Sequence, residues 1–486
     1  MACLPGGHRF DSSLLREYDI RGVYGKTLHE ADAYAVGRSF ATILRCGLHE
    51  PGETEPGVDP VLKESPVRVV VGRDGRLSSP ALEQSLIEGL VEGGVDVLRL
   101  GIAPSPMVYF AQVSTEGVEG GIQVTGSHNP RDHNGFKFVV RDRPFFGEQL
   151  LWLGEIAAAG NWTTGQGRVE DFDIVPAYVS ALRGALCDAD ADTLAQLRIG
   201  WDAGNGAAGP VIERLTVTIA GEHHLLFSTV DGRFPNHHPD PTLEENLADL
   251  RALVASRNLD FGVAFDGDGD RLGVIDGLGR VIWADQLLAI FVADVLQEHP
   301  GARIVGDVKM SQATFDAIER AGGVAVMAPS GHSHIKARMK ETGAVLGGEM
   351  SGHIFFADRW FGFDDGIYAA LRLIALVIRS GRSLAAIRNA LPQTFATPEL
   401  RFAVPAARLR AVVREVAERV RKAGRNAQTI DGLRVSGPDG WWLLRASNTQ
   451  DMLTARAEGT SAESLERLVA ELDDELRLSG IVRSAT

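Results

Sequence analysis

Three carboxylates that alternate with glycine are the strongest chemical signal in this chain. They lie in Asp266-Gly-Asp-Gly-Asp-Arg271, directly after the apolar stretch Leu259-Asp-Phe-Gly-Val-Ala-Phe265. Because the apolar stretch is typical of a buried strand, we expect the carboxylates at the carboxyl end of that strand, where α/β sheets bind ligands. Oxygen ligands that converge on one point suit a hard divalent cation such as Mg²⁺. The spacing therefore predicts a metal site formed by Asp266, Asp268 and Asp270.

An EF-hand calcium loop and a solvated acidic loop are the two alternative interpretations of this run. The calcium loop requires glycine at its sixth position and glutamate at its twelfth, and Arg271 and Gly277 stand there instead. The solvated loop is less favoured, because surface loops rarely repeat Asp-Gly after an apolar strand.

Far upstream, a serine lies in a turn that could present it for covalent chemistry. Ser127 belongs to Thr125-Gly-Ser-His-Asn-Pro130, and Asn134-Gly-Phe-Lys137 follows shortly afterwards. The glycine before it permits an unusual backbone turn, and the proline ends any continuation. A serine in such a turn is a candidate nucleophile or phosphoryl carrier, and a hydroxyl that bonds its own backbone is the structural alternative. The Gly-x-Ser-x-Gly pattern of hydrolases is absent.

Two further polar loops have the composition of a sugar-phosphate site. In the first, Glu349, Ser351 and His353 alternate, so an extended loop would turn them to one side, where they could recognise sugar hydroxyls. The second, Arg445-Ala-Ser-Asn-Thr449, offers a guanidinium, two hydroxyls and an amide, which could hold a phosphate. Taken alone, each loop is equally consistent with a polar turn that has no ligand.

One glycine-rich loop resembles a dinucleotide-binding fingerprint. Gly204-Asn-Gly-Ala-Ala-Gly209 follows an apolar stretch and precedes a helical pattern. The fingerprint also requires an acidic residue that ends the next strand, whereas Glu222 precedes the apolar stretch at 224–227. We therefore favour tight packing of a strand against a helix over nicotinamide binding.

The elements that must position these loops alternate between strands and helices. Apolar runs at 67–72 and 95–100 predict strands, and Ser79-Pro80 between them begins a helix with proline at its first position. The same pattern recurs after about residue 173, with a strand at 197–202, and again after the aspartates, with strands near Ile304 and Val324. Such alternation predicts mostly parallel sheets flanked by helices.

The last segment, from about residue 394, has a different pattern. Pro405 begins a helix with one apolar face, formed by Leu409, Val412, Val413, Val416 and Val420. Turns at 430–433 and 437–440 separate strands, and the capping box Thr460-Ser-Ala-Glu463 begins a final helix. This pattern predicts an α+β domain, joined by a hinge at 391–398.

Composition argues against several classes of function. The 486 residues carry a formal net charge of −15, with 44% hydrophobic and 23% charged residues. These values are ordinary for globular proteins, and the acidic balance argues against nucleic-acid and anionic-membrane partners. No apolar run approaches the roughly 18 residues of a membrane span, and we expect no signal peptide. Cys3, Cys46 and Cys187 form no paired framework, so we expect a soluble cytoplasmic protein with reduced thiols.

Together, the motifs resemble the α-D-phosphohexomutase superfamily, and most of all its bacterial phosphomannomutase/phosphoglucomutase branch. The resemblance covers nearly the whole chain. It rests on Glu17-Tyr-Asp-Ile-Arg-Gly22, Thr125-Gly-Ser-His-Asn-Pro130, Asn134-Gly-Phe-Lys137, Asp266-Gly-Asp-Gly-Asp-Arg271, Gly331-His332, Gly348-Glu-Met-Ser-Gly-His353, Trp360-Phe-Gly-Phe-Asp-Asp-Gly366 and Arg445-Ala-Ser-Asn-Thr449. It implies four domains around a central cleft, each of which supplies one active-site loop.

The resemblance also implies a role for each matched residue. Ser127 is expected to be the phosphoserine, and a phosphoryl oxygen on it would share Mg²⁺ with Asp266, Asp268 and Asp270. Arg271 is expected beside the transferring group. Near the reacting hydroxyl, where a proton is transferred, the matched positions are Arg21, Lys137 and His353. The expected substrate-binding residues are Tyr18, Lys309, His332, Glu349, Ser351, Arg445, Ser447, Asn448 and Thr449, of which Glu349 and Ser351 bind sugar hydroxyls and the last four bind the phosphate that is not transferred.

Three features depart from the pattern that the resemblance implies. Gln450 and Asp451 follow the phosphate loop, where members usually continue with Glu-Pro or Thr-Pro, and an added carboxylate should repel a phosphate. Met310-Ser-Gln312 follows Lys309, where many bacterial members carry further basic residues. An acidic stretch rich in proline and glycine at 50–60 is unusual and reads as a surface insertion.

We therefore expect an α/β protein with three similar α/β domains, whose sheets are parallel or mixed, and a smaller C-terminal α+β domain. The predicted domains are 1–173 with the phosphoserine loop, 174–280 with the metal loop, 281–393 with the sugar-binding loop and 394–486 with the phosphate-binding loop.

The expected activity is that of an intramolecular phosphotransferase that interconverts hexose 1- and 6-phosphates, of mannose or glucose, with Mg²⁺ and a hexose 1,6-bisphosphate intermediate. Met350 favours this branch over phosphoglucosamine mutases, which tend to carry glutamine there. A phosphoglucosamine mutase, a Mg²⁺-dependent sugar phosphatase and a non-catalytic sugar-phosphate binding protein are the alternatives. The expected partner is a small sugar phosphate, and the protein is expected to be a monomer or a weak homo-oligomer.

Overall fold

A computed structural model of the protein describes residues 7–47, 63, 66–141, 145–446 and 452–483. The chain divides into two compact units. The first contains Met1–Trp283 and Ser351–Ala385, and the second contains Ala284–Met350 and Ala386–Thr486.

Strands and helices alternate through most of the chain, as the sequence predicts. The strands are β1 (Ile20–Val23), β2 (Arg68–Arg73), β3 (Asp96–Ile102), β4 (Val118–Val124), β5 (His133–Val140), β6 (Val169–Asp171), β7 (Arg198–Asp202), β8 (Glu222–Leu226), β9 (Phe261–Phe265), β10 (Leu272–Asp276), β11 (Val281–Ile282), β12 (Arg303–Asp307), β13 (Val324–Ala328), β14 (Leu346–Gly348), β15 (Ile354–Phe356), β16 (Phe395–Ala396), β17 (Leu400–Ala403), β18 (Asn426–Gln428), β19 (Leu433–Gly437), β20 (Gly440–Ala446) and β21 (Met452–Gly459). The α-helices are α1 (Glu30–Arg45), α2 (Ser79–Glu92), α3 (Ser105–Ser114), α4 (Glu148–Ala159), α5 (Val175–Arg183), α6 (Ala191–Gln196), α7 (Gly209–Thr216), α8 (Ala248–Arg257), α9 (Ala284–Glu298), α10 (Gln312–Arg320), α11 (His332–Thr342), α12 (Gly366–Ser380), α13 (Leu384–Asn389), α14 (Ala406–Lys422) and α15 (Ala462–Leu478).

The first sheet of the first unit places two loops side by side. Its strand order is β1-β5-β4-β2-β3-β6. Strand β2 pairs in parallel with both β3 and β4, and β4 pairs with β5 in antiparallel register. Val69, Val70 and Val71 are all fully buried, so both faces of the sheet are covered. Because β2 and β4 are parallel neighbours, the turns that follow their carboxyl ends lie at the same edge of the sheet.

The second sheet of the first unit carries the three aspartates. Its strand order is β11-β10-β9-β7-β8, and β9 pairs in parallel with β7. Strand β9 is fully buried, as its apolar sequence predicts, and it pairs with β10 in antiparallel register from Phe265 and Leu272 onward. Residues 266–271 are therefore the connection of a β-hairpin, held by buried strands on both sides. The apolar helix α12 packs against β9 and β10 in the same unit.

The second unit contains a parallel sheet and an antiparallel sheet. Strand β12 pairs in parallel with β13 and β14. The antiparallel sheet has the order β16-β21-β20-β19-β18, with β17 also paired to β21. The predicted apolar face of α14 is confirmed, because Leu409, Val412, Val416 and Val420 are buried in a core shared with this sheet. The predicted fold class, α/β with a C-terminal α+β domain, is confirmed.

Two local details bear on the sequence predictions. The N-cap of α15 is Ser461, whose side chain accepts a hydrogen bond from the backbone of Ser464, so the predicted capping box at Thr460 is wrong by one residue. Gly209 begins α7 so close to the neighbouring chain that an added Cβ would lie 1.9 Å from the carbonyl oxygen of Ser228. This close approach fits the prediction of tight packing at 204–209.

Some predicted features lie outside the described residues. They are the insertion at 50–60 and the loop residues Ser447, Asn448, Thr449, Gln450 and Asp451. Within the described ranges, no helix combines the length and the apolar character that a membrane crossing requires.

Candidate active site

The turn that carries Ser127 follows directly from β4. Ser127 is 1% exposed and has a φ angle of +47°, a left-handed conformation that non-glycine residues rarely adopt. Its backbone N–H donates to Thr125 Oγ1 at 2.8 Å, and Asn129 N–H donates to the Gly126 carbonyl at 2.9 Å. The Ser127 hydroxyl donates to Asp266 Oδ2 at 2.6 Å. The structure therefore brings the predicted serine turn into contact with the predicted metal loop.

The three aspartates of the metal loop converge. Asp266, Asp268 and Asp270 are all fully buried, and one carboxylate oxygen from each lies within 4.8 Å of the others. The intervening glycines are sterically required: a Cβ on Gly267 would lie 2.5 Å from the Ser127 carbonyl oxygen, and Gly269 has a φ angle of +75°. The alternation of aspartate and glycine thus lets the hairpin connection turn all three carboxylates inward.

Lys137 and Ser105 occupy one side of these carboxylates. Lys137 Nζ lies 2.7 Å from Asp268 Oδ2 and also contacts Asp270 Oδ2. Ser105, in the first turn of α3, donates its hydroxyl to Asp268 Oδ2 at 2.5 Å. Among the residues that the structure describes, Oδ1 of Asp268 and Oδ1 of Asp270 accept no hydrogen bond, although His353 Nδ1 lies 3.5 Å from Asp270 Oδ1.

This donor set fits a divalent cation. Buried carboxylate oxygens without hydrogen-bond partners are costly unless a cation or water satisfies them. Hard cations such as Mg²⁺ prefer oxygen ligands from a small number of carboxylates. Asp266, Asp268 and Asp270 therefore form a chemically suitable Mg²⁺ site, with the Ser127 oxygen beside it.

The pKa values in the cluster follow from burial and neighbouring charge. Burial and the charges of Asp268 and Asp270 raise the pKa of Asp266 well above its ordinary value. Burial alone would lower the pKa of Lys137. The negative charges of Asp268 and Asp270 have the larger effect, so the pKa of Lys137 lies well above its ordinary value. Lys137 therefore remains a cation beside the carboxylates across the physiological pH range.

Arg271, at the end of the metal loop, is held by a second chain segment. Its Nε donates to His353 Nε2 at 3.2 Å, and the adjacent Leu272 N–H donates to the Gly352 carbonyl at 3.0 Å. On its other side, His128 Nε2 lies 3.5 Å from the guanidinium. Burial, together with the charge of Arg271, lowers the pKa of His128 well below its ordinary value. A neutral His128 and a charged Arg271 therefore border the serine turn.

The N-terminal motif reaches the same place through the pairing of β1 with β5. Arg21 lies opposite Gly135 in this pair, and its guanidinium donates to the Thr125 carbonyl at 2.8 Å. Arg21 also forms an ion pair with Asp19. Tyr18 precedes β1 and is half-buried. The structure thus gathers Ser127, Arg21, Lys137, Arg271 and His353 around the aspartates within one unit.

The other candidate substrate-binding residues are divided between the units. Lys309 and Glu349 follow β12 and β14, which are parallel neighbours, so they lie at the same sheet edge in the second unit. His332 is the first residue of α11, and Arg445, in β20, pairs with Asp431 at 2.9 Å. Ser351 belongs to the first unit.

Glu349 has the contact pattern expected of a ligand-binding carboxylate. It is 6% exposed, and its Oε2 has no hydrogen-bond partner in the described part of the chain. A sugar hydroxyl is a suitable donor for such an atom.

The sequence interpretation missed residues that hold the serine turn in place. Asp74 and Arg76 follow β2 and contact the turn at 125–133. His238 approaches from another loop, and its Nε2 lies 2.5 Å from the carbonyl oxygen of His128. The sequence did contain a signal for Asp74 and Arg76. They are two charged residues in the turn after a predicted strand, and loops at strand ends commonly form ligand sites.

Family models for the domains of phosphoglucomutase/phosphomannomutase match the chain in order. The alpha/beta/alpha domains I, II and III match residues 12–150, 176–279 and 283–395, and the C-terminal domain matches residues 399–475. The fold that the resemblance implies is therefore confirmed.

Individual relatives are similar over almost the whole chain. The phosphomannomutase/phosphoglucomutase of Pseudomonas aeruginosa is 42% identical over 466 residues, which cover 96% of each protein. The phosphoglucomutase of Neisseria gonorrhoeae is 40% identical over 459 residues, covering 94% of this chain and 95% of that protein. A crystal structure of a phosphoglucomutase/phosphomannomutase family protein from Burkholderia thailandensis has a TM-score of 0.87 and 39% identity, covering 97% of this chain and 98% of that chain. The chain therefore belongs to the phosphoglucomutase/phosphomannomutase family of enzymes.

Proposed function

We propose that this phosphohexomutase interconverts the 1- and 6-phosphates of mannose and glucose through a phosphoryl group carried on Ser127. The observation that carries the proposal is the 2.6 Å contact between the Ser127 hydroxyl and Asp266, within a cluster of three buried carboxylates. The names of the relatives support the choice of sugars.

Two phosphoryl transfers make up the proposed cycle. In the first, a free hydroxyl of the hexose monophosphate forms a bond to phosphorus, the bond from phosphorus to Ser127 Oγ breaks, and the proton of the sugar hydroxyl is released. The product is a hexose 1,6-bisphosphate. This intermediate then reorients in the site. Ser127 Oγ forms a bond to its other phosphorus, the bond from that phosphorus to the sugar oxygen breaks, and the sugar oxygen takes up a proton. The enzyme is then phosphorylated again and atoms balance over the cycle.

The residues around Ser127 supply charge for these transfers. Phosphoryl transfer depends mainly on alignment and on stabilisation of charge at the transferring group. Lys137 and Arg271 are the cations that we propose for this task. Arg21, which donates to the Thr125 carbonyl, would orient the group, and His353, which contacts Arg271, would move a proton.

Magnesium is the proposed metal. Asp266, Asp268 and Asp270 would hold it, together with a phosphoryl oxygen on Ser127. When bound, it offsets negative charge on the phosphoryl group. We expect chelation by EDTA to abolish turnover and excess Mg²⁺ to restore it, while direct metal titration of an Asp268→Asn variant shows weakened binding.

The remaining candidate residues are proposed to bind the substrate. Glu349 and Ser351 would accept or donate hydrogen bonds with sugar hydroxyls, and Lys309, His332 and Tyr18 would contact the sugar phosphate. Arg445, Ser447, Asn448 and Thr449 would hold the phosphate that is not transferred. Such a distant contact uses binding energy to orient the reacting end.

The test is a comparison of substrates with two products measured in each assay. Purified enzyme should isomerise mannose and glucose phosphates and release little inorganic phosphate. A strong preference for glucosamine phosphate would reassign the protein to phosphoglucosamine mutases. Stoichiometric release of inorganic phosphate would instead indicate a sugar phosphatase, and binding without any turnover would indicate a binding protein.

A further inference from the structure

A single buried guanidinium lies at the centre of the serine turn. Arg76 is fully buried, and its two terminal nitrogens donate to four backbone carbonyl oxygens. The acceptors are the carbonyls of Ser127 at 2.6 Å, Asn129 at 2.7 Å, Pro130 at 2.6 Å and His133 at 3.0 Å. Its remaining N–H, on Nε, donates to Asp74 Oδ2 at 3.1 Å. All five donors of the guanidinium are therefore used.

Asp74 completes the arrangement from the opposite side. Its Oδ2 accepts from the Thr125 hydroxyl at 2.9 Å and from the Gly126 N–H at 3.0 Å. Its Oδ1 accepts from Ser79 at 2.5 Å and from the Arg76 N–H at 3.0 Å. Asp74 thus binds the start of the serine turn, while Arg76 binds its middle and its end.

These contacts account for the unusual backbone of the turn. Four carbonyl dipoles that point at one place repel one another unless a cation lies between them. The left-handed conformation of Ser127 also costs energy and persists only where its surroundings impose it. Gly126 is needed for the same reason, since a Cβ there would lie 2.3 Å from the guanidinium carbon of Arg76. The turn is therefore built around Arg76.

We propose that Arg76 and Asp74 are positioning residues for phosphoryl transfer, which act by fixing the backbone of residues 125–133 so that Ser127 Oγ faces Asp266. The proposal rests on the proposed function of Ser127. Arg76 binds the backbone and not the hydroxyl, so the same contacts are available whether or not Ser127 carries a phosphoryl group. Loss of these contacts should reduce the rate of transfer much more than the binding of a hexose phosphate.

The experiment compares Arg76→Lys with Arg99→Lys. Lysine keeps the positive charge of residue 76 but cannot reach four carbonyls and a carboxylate at once. Arg99, on the neighbouring strand β3, is the control for the change from arginine to lysine. Its side chain is 38% exposed, and its guanidinium pairs with Glu83 and makes no described contact with the serine turn. For Arg76→Lys we expect kcat to fall at least about 100-fold with KM changed less than about threefold, and Arg99→Lys should retain both constants.

Two further measurements distinguish a local effect of Arg76 on the serine turn from a general loss of folding. They also distinguish it from a failure of the proposed function. Amide hydrogen exchange at 125–133 should accelerate at least about tenfold in Arg76→Lys, with exchange in α12 unchanged. Guanidinium ion added to Arg76→Ala should recover at least about tenfold in turnover. If Arg76→Lys showed unchanged amide exchange at 125–133, or a kcat within about fivefold of wild type, the positioning role of Arg76 would be overturned. Absence of mutase turnover in the wild type would instead overturn the proposed function, and the exchange measurement would still decide the role of Arg76 in the turn.

Discussion

Arg76 in the first unit and Arg434 in the second are both buried guanidiniums that donate to backbone carbonyls, yet they are compensated differently. Arg434 is 1% exposed and donates to the carbonyls of Val308 at 2.6 Å and Met310 at 3.0 Å. Its guanidinium carbon lies 3.7 Å from the centre of the Trp441 ring. Arg76, in contrast, forms an ion pair with Asp74 at 3.1 Å. Arg76 is neutralised by a carboxylate and lies only loosely over the Phe234 ring, at 5.3 Å from its centre, whereas Arg434 is stacked closely on an aromatic face.

Burial lowers the pKa of both guanidiniums, so the two sites differ in what opposes that shift. Asp74 opposes it for Arg76, whereas for Arg434, whose pKa falls to about 10, the charges of Glu458 and Asp307 oppose it. A cation–π contact stabilises such a guanidinium less than a hydrogen-bonded carboxylate does. We infer that the contacts of Arg434 are easier to replace than those of Arg76.

The two arginines also fix different kinds of segment. Arg76 holds the turn that carries Ser127, which is the proposed phosphoryl carrier. Arg434 fastens the residues on both sides of Lys309, a candidate substrate-binding residue, to the C-terminal sheet of the same unit. A buried guanidinium bound to backbone carbonyls thus lies beside the proposed phosphoryl carrier in one unit and beside a candidate substrate-binding residue in the other. Substitutions at Arg76 should therefore lower kcat, whereas substitutions at Arg434 should raise KM.

Asp74→Asn should have the largest effect. The substitution keeps the shape of the side chain but leaves the Arg76 cation buried without its partner, which costs about 3–5 kcal/mol of stability when a buried pair is broken. We expect kcat to fall at least about 100-fold, because the amide cannot accept all the hydrogen bonds that the carboxylate accepts. Urea denaturation and steady-state kinetics measure both effects, and a loss of stability with unchanged kcat would contradict the account.

Arg434→Met should have a smaller effect of a different kind. The variant loses the hydrogen bonds to the carbonyls of Val308 and Met310 and a longer one to Gln312 Oε1, but an apolar side chain can pack on Trp441, so we expect a net loss of about 1–2 kcal/mol. We expect KM for the hexose phosphate to rise about tenfold, with kcat within about twofold of wild type.

Glu458→Gln is the control for that variant. Its Oε1 can still accept from Ser311, Gln312 and Trp441, so both kinetic constants should stay near those of wild type. If Arg434→Met lowered kcat as strongly as Arg76→Lys does, the distinction between the two arginines would be lost.

Asp365→Asn tests how a buried carboxylate that is hydrogen-bonded by neutral groups, and paired with no described arginine, affects the pH dependence of stability. Asp365 accepts from Tyr178 Oη at 2.8 Å and from the Tyr368 N–H at 2.9 Å, and burial raises its pKa from 3.8 to about 7. Between these two values the folded protein binds a proton that the unfolded chain does not, so this contribution to stability is lost as pH rises toward 7 and above.

The expected result is a change in the pH dependence of stability. Asparagine cannot titrate, so the free energy of unfolding of the variant should fall less between pH 5 and pH 8 than that of wild type, by about 2 kcal/mol. Urea denaturation at both pH values measures the difference. Parallel pH profiles for the two proteins would mean that Asp365 is ionised throughout.

Arg233→Ala should have the smallest effect. Arg233 forms a surface pair with Asp231 at 2.7 Å, and its side chain is 70% exposed. Solvent screens such a pair, so we expect no measurable change in Tm, kcat or KM. A substantial change would show that an exposed arginine pair contributes as much to stability or turnover as a buried one. The contrast with Arg76 and Arg434 assumes that it contributes less.

Local motifs explain why part of the site could be predicted from the sequence. Asp266, Asp268 and Asp270 lie within one hairpin connection after a buried strand, and Ser127 lies in a turn bounded by glycine and proline. In both cases the information is contained in a few consecutive residues. The strands, the helix at Ser79-Pro80 and the apolar face of α14 were predictable for the same reason.

The contacts of Arg76 and Arg434 could not be predicted in this way. Arg76 reaches Ser127 because β2 and β4 are neighbours in the sheet, although β3 lies between them in the chain. Arg434 and the Val308 carbonyl are 126 positions apart. Strand order and the packing of one sheet against a loop decide these contacts, and neither follows from local periodicity.

The fate of one labelled phosphoryl group tests directly whether Ser127 carries it between the enzyme and the sugar. The enzyme is labelled with ³²P on Ser127 and verified by peptide mapping, and it is then mixed with unlabelled glucose 1-phosphate in a single turnover with Mg²⁺. The account predicts that the label passes to the sugar, first as hexose 1,6-bisphosphate, and that Ser127→Ala accepts no label and loses most of its turnover. Release of the label as inorganic phosphate, label on another residue, or near wild-type turnover in Ser127→Ala would contradict it.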